Sequence, residues 1–138
     1  ESGNEDRKEQ LERIFRKATG NDKLEIEVKG LGPDAEAAIL TEDEETRAMR
    51  DLYERMGQDM GQDLDSLIPP KHTLVLNTDQ SLITKLCLLD ETSGKEETGL
   101  TLAEEIYDLA RLSHGSLQGD DLLHFLKRSQ TLLEQVDL

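Results

Sequence analysis

The sequence predicts an α+β domain: a small three-stranded sheet packed with helices, and a C-terminal helical hairpin forming a four-helix bundle across a dimer. Three observations lead there. Leucine supplies 24 residues whereas aromatics make up only 3%, a composition that favours helices over sandwiches or barrels. Strict alternation of apolar and charged residues is confined to one short segment, while helical spacing recurs along the chain. The last helical segment carries more apolar width than one core contact uses. At 138 residues the chain reads as a single domain, residues 1–138.

Glu5 to Thr19 places Leu11, Ile14, Phe15 and Ala18 on one helical face, and Gly20-Asn21 supplies a stop. Leu24, Ile26 and Val28 then alternate with Glu25, Glu27 and Lys29, a strand with one wet face. Ala35 to Leu40 reads two ways. Pro33 and the alanines suit a helix, the run Ala37 to Leu40 suits a short buried strand, and propensity does not separate them. The capping-box spacing of Thr41 and Glu44 favours the strand, because it starts a new helix there. That helix runs from Glu42 to Met56, with Ala48, Met49, Leu52, Tyr53 and Met56 on one side. Gly57 to Pro70, with its tandem Met-Gly-Gln-Asp, reads as a flexible loop.

His72 to Asn77 is strand-like, and Thr78-Asp79 signals a helix marked by Leu82, Ile83, Leu86 and Leu89. Asp90 to Gly99 reads as a polar loop. Thr101 with Glu104 forms a second capping box, opening a helix that His114-Gly115 closes. Gly119 or Asp120 caps the final helix, which runs to about Val136.

The formal charge of −15 opposes binding to phosphate backbones and anionic membranes, and no basic run exceeds two residues. Neither nucleic acid nor membrane is therefore expected as a partner. No apolar run approaches transmembrane length, and the lone Cys87 excludes an internal disulfide, which fits a reducing cytoplasm. The absence of an initiator Met suggests a piece of something longer.

Signals for catalysis are absent. Gly30-Leu31-Gly32-Pro33-Asp34-Ala35 fits a dinucleotide fingerprint, yet the acidic residue about 20 positions on is Asp51, inside a predicted helix, so an ordinary turn is the better reading. Asp59, Asp63 and Asp65 lack calcium-loop spacing. His72, His114 and His124 show no pair at metal-ligand spacing, and Cys87 has no signalled base. The expected site assignments are thus no catalytic, cofactor-binding or metal-binding residue, and no enzyme.

Two apolar surfaces remain. The helices Thr101 to His114 and Gly119 to Val136 can pack against a copy of themselves, which predicts a homodimer. The stripe Met49, Leu52, Tyr53, Met56, continued by Met60, holds every methionine of the chain, a side chain suited to accommodating varied partners. The alternative is that this stripe is ordinary core.

Several segments together resemble the C-terminal domain of the heat shock protein 90 family of molecular chaperones, of bacterial (high-temperature protein G) type. They are Glu12 to Ala18 followed by Leu24 to Lys29, then Thr73 to Asn77, then Ile106 to Gly115, and Phe125 to Ser129. Order and spacing match along nearly the whole chain, most specifically in the last two blocks and only loosely from Thr41 to Pro70. The resemblance implies a cytoplasmic stress-response chaperone. Its dimer interface would use Leu102, Ile106, Leu109, Leu122, Phe125, Leu126, Ser129, Leu132 and Leu133. Its client element would span Glu42 to Met60 and contact unfolded proteins through Met49, Leu52, Tyr53, Met56 and Met60. It also supports the strand at Ala37 to Leu40. Full-length members hydrolyse ATP with magnesium in an N-terminal domain that nothing here matches, so this chain is expected to hold no cofactor. Its ending, Gln135 to Leu138, lacks the acidic pentapeptide of cytosolic eukaryotic members, so docking of tetratricopeptide co-chaperones is not expected. The rival reading is a stand-alone acidic helical adaptor that homodimerises and recruits one defined partner.

Overall fold

The computed structural model of the chain describes residues 2–42, 44–56 and 72–136. Among these, helix α1 (Ser2–Thr19) leads to strands β1 (Glu25–Lys29) and β2 (Ala38–Glu42), then α2 (Glu44–Arg55), β3 (His72–Asn77), α3 (Ser81–Glu91), α4 (Glu96–His114) and α5 (Gly119–Glu134). The architecture is α+β, with three strands in the order β1-β3-β2. The central strand β3 is parallel to β1 and antiparallel to β2.

The apolar alternation read from sequence orients the sheet. Ile26, Ala38, Leu40, Leu74 and Leu76 are buried on one face, whereas Glu25, Glu27 and Lys29 on the other face are exposed. Against the apolar face lie Leu11, Ile14 and Phe15 of α1, Ile83, Leu86 and Cys87 of α3, and Ala103, Ile106 and Ala110 of α4. Each fully buried Leu, Ile or Phe side chain contributes about 1.5–3 kcal/mol relative to exposure, so this cluster is the principal source of stability. The α1–α3 contact is closed by polar bonds. Arg13 donates to both Asp90 carboxylate oxygens, at 2.6 and 3.2 Å, and Gln10 donates to the Cys87 carbonyl and to Asp90.

The segment from Ala38 is the strand, as the residues leaned, and it continues through Thr41 into Glu42. Thr41 is therefore no helix cap. Its hydroxyl donates to the Thr73 carbonyl at 3.3 Å, and α2 begins only at Glu44. The second expected capping box is also overturned. α4 starts at Glu96, so Thr101 sits in the helix and its hydroxyl donates back to the Glu97 carbonyl. The polar loop shrinks to residues 92–95. Gly99, read as loop, is a buried helical residue: a Cβ there would meet Leu89 Cβ at 3.5 Å, an ordinary contact distance, so the packing of α3 on α4 does not itself demand glycine. α3 is capped by Gln80, which accepts from the Leu82 amide, rather than by Thr78 or Asp79. Gln118, not Gly119 or Asp120, is the N-cap residue of α5, and it makes no side-chain cap bond. The C-terminus of α4 follows expectation, with Gly115 in the left-handed conformation and its amide bonded to the carbonyls of Arg111 and Leu112.

The Gly30 to Pro33 turn is held by the residues that follow β3. The Leu31 amide donates to Asn77 Oδ1, Asn77 Nδ2 donates to the Gly32 carbonyl, and the Gly32 amide donates to Asp79 Oδ2. Two backbone amides that a phosphate would use are thus bonded to side chains, one of them an anion. A Cβ on Gly30 would lie 2.9 Å from Asp79 Oδ2, and Gly32 has φ of +95°. The glycines serve this turn.

Candidate interaction surfaces

α4 is the helix on which both the core and the hairpin depend. One face enters the core through Ala103, Ile106 and Ala110, and the opposite flank carries the charged residues that receive α5. Arg128 of α5 reaches across to Glu105 at 3.0 Å and Asp108 at 2.7 Å, with Glu104 at 3.9 Å. Ser129 donates to the second Glu105 oxygen. Asp108 also receives Arg111, which in turn reaches Asp121 at 3.2 Å and lies 5.8 Å over the Tyr107 ring. Burial works against the Arg128 charge, but hydrogen bonds to Asp108 and Glu105 outweigh it and hold the guanidinium above the usual arginine value.

The apolar anchors of this hairpin are fewer than its leucines. Phe125 is the buried side chain of α5, and Leu117 is buried in the connecting turn. Leu123, Leu126 and Leu133 are exposed on α5, as are Leu109 and Leu112 on α4 and Val136 beyond α5. The expected interface set therefore divides. Ile106 and Phe125 belong to the chain's own interior, Ser129 is engaged with Glu105, and Leu102, Leu122 and Leu132 are half-buried. Leu109, Leu126 and Leu133 remain outward. Leu112, Leu123 and Val136 join them, residues absent from that set although the spacing 123, 126, 133 is a readable seam. Beside Leu109, an apolar groove of about 250 Å³ is lined by Ala37, Ala38, Leu82 and Ile106.

α2 presents the second surface. Met49, Leu52 and Met56 are 52%, 59% and 63% exposed, while Tyr53 is half-buried. This helix makes no extensive contact with another described element. Met60 and the Gly57 to Pro70 loop lie outside the described residues.

One grouping escaped the sequence reading. His72 and His114, 42 positions apart, stand edge to face with ring centroids 4.9 Å apart, and Glu42 completes a cluster with them. No local spacing signals it, because β2, β3 and α4 each contribute one residue. Cys87, by contrast, is buried in the core, and burial pushes its thiol up.

No helix among the described residues is long and apolar enough to cross a membrane. Compared with known proteins, the chain matches no protein-family model and no curated protein sequence.

Proposed function

We propose that this chain is the dimerisation and client-contact domain of an ATP-dependent molecular chaperone of the heat shock protein 90 type, without catalytic activity of its own. The observation that carries the reading is the exposure of Met49 and Leu52 on α2 and of Met56 directly after it, where an ordinary core stripe would be covered. The outward leucines of α4 and α5 supply the surface for a second copy. Joining two protomers at this end raises the effective concentration of their N-terminal domains for one another, so that nucleotide-driven association there closes a clamp on a client. Unfolded proteins would engage α2, whose methionines adapt to varied apolar segments.

Light scattering coupled to size exclusion tests this together with suppression of aggregation of a heat-denatured model enzyme. The wild type is expected at twice the 15.5 kDa chain mass. Leu126→Asp with Leu133→Asp should halve that mass. Met49→Ser with Met56→Ser should leave it unchanged and weaken aggregation suppression. A concentration-independent mass of one chain refutes the dimer, and dissociation caused by the methionine changes refutes the division of roles.

A further inference from the structure

We propose that Glu42, His72 and His114 form a binding site for a transition-metal dication of the zinc class. The sheet register brings the first two together. Glu42 of β2 pairs directly with His72 of β3, two positions beyond the pair Leu40–Leu74 and four beyond Ala38–Leu76. Period-two geometry puts all three pairs on the same face. The face that is apolar through two rungs therefore ends in an imidazole beside a carboxylate. α4 packs along β2 and delivers His114, its last helical residue, to the same rung.

The ligand atoms of the three residues lie within 4.8 Å of one another. A tetrahedral zinc ion with bonds of about 2.0–2.1 Å sets its ligand atoms about 3.4 Å apart, so side-chain rotation closing the cluster by up to about 1.5 Å completes the geometry. Two imidazoles and one carboxylate are a donor set that zinc, nickel and copper share, and it leaves one tetrahedral position for water. The cluster is reachable: Glu42 and His72 are half-buried and His114 is exposed. The C-terminal end of α4 adds the negative end of a helix dipole, which favours a cation there. Cys87 is buried in the core and does not compete.

An ion at this position crosslinks β2, β3 and α4. Glu42 stands two residues before the first residue of α2, so the ion would fasten the root of α2 to the helix that carries the hairpin.

Calorimetric titration of the chain with zinc chloride tests the site, alongside imidazole nitrogen shifts recorded by NMR. One equivalent is expected to bind, with the resonances of His72 and His114 moving together and those of His124 unmoved. His114→Gln, at an exposed helix end, should keep the fold and weaken binding by at least about 100-fold, since loss of a mere outer-shell partner costs 10–100-fold. Glu42→Gln should weaken it too, and His124→Gln should not. Undiminished one-equivalent binding by His114→Gln, shifts at His124 alone, or no binding by the wild type overturns the proposal.

Discussion

Replacing Arg128 by methionine keeps much of the side-chain volume while removing the one guanidinium that α5 inserts between Glu105 and Asp108. The Asp108 and Glu105 side chains are only 10% and 14% exposed, and Arg128 is 17% exposed, so water compensates little. Removing one member of a buried pair costs about 3–5 kcal/mol. Here Asp108 keeps Arg111 at 3.4 Å and Glu105 keeps Ser129, so about 2–4 kcal/mol is expected. For a chain of this size that lowers the melting temperature by about 6–15 °C. The assay is a circular-dichroism melt at neutral pH and fixed protein concentration, with hydrogen exchange of the α5 amides as a local readout. Arg128→Lys, which keeps the charge and loses the fork, should fall between the two. A second step tests the cause. Glu105→Gln should destabilise the wild type yet stabilise Arg128→Met, because only in the latter is the carboxylate unpaired. A melting temperature within about 2 °C of wild type, or the same sign of Glu105→Gln in both backgrounds, refutes the electrostatic account of the hairpin.

Asp90 is held below the usual carboxylate range by the hydrogen bond from Arg13, helped by Gln10. The stabilisation is therefore present above the unfolded carboxyl value of about 4 and is lost as pH falls through the lowered folded value. Between neutral pH and strong acid, wild type should lose more stability than Asp90→Asn in urea melts, by no more than about 1 kcal/mol because Arg13 is largely exposed. Asn77→Leu should cost about 2–4 kcal/mol by thermal melt, since this fully buried amide satisfies the Leu31 and Asp79 amides and the Gly32 carbonyl at once.

Amphipathic period made α1, β1 and α3 legible, because one face of each enters the core and the side-chain pattern records it, whereas the central strand β3 showed as a short continuous apolar run, Leu74 to Leu76, buried on both faces. Helix starts were less legible, for a physical reason. Thr41 and Thr101 have the side chains and spacing of caps, but a threonine hydroxyl bonds equally well to a neighbouring strand carbonyl or to the carbonyl four residues back. Gly99 costs a helix about 1 kcal/mol by propensity, which is why it read as loop, yet the flanking residues carry the helix through it. Which leucines of α5 face inward was hidden too. The helix is apolar on two sides, and its rotation is set together by Phe125 in the interior and by the polar bonds that Arg128, Ser129 and Asp121 make to α4, which leave Leu126 and Leu133 outside. The His72–His114 pair depended on strand register and on the path of α4, neither of which local spacing encodes.

Charge placement explains how an apolar stripe is tolerated outside the core. Residues 41–70 carry nine acidic and three basic side chains, the largest acidic excess along the chain, and all three methionines fall among them. Net like charge opposes self-association over distances of about 8–10 Å, the Debye length at physiological ionic strength, while dispersion contacts with an incoming apolar segment act only at contact. Among the described residues, Glu42 and 44–56 bring five acidic and three basic side chains beside Met49, Leu52 and Met56, so on the proposed reading two copies meeting there repel while a partner with fewer acidic residues does not. The hairpin is acidic as well: α4 carries five acidic and one basic side chain and α5 three acidic and two basic, so the proposed dimer would have to draw its attraction from the exposed leucines. On the proposed reading, self-association at α4 and α5 rests on their outward leucines rather than on charge, and the stripe on α2 is left for a partner of different composition.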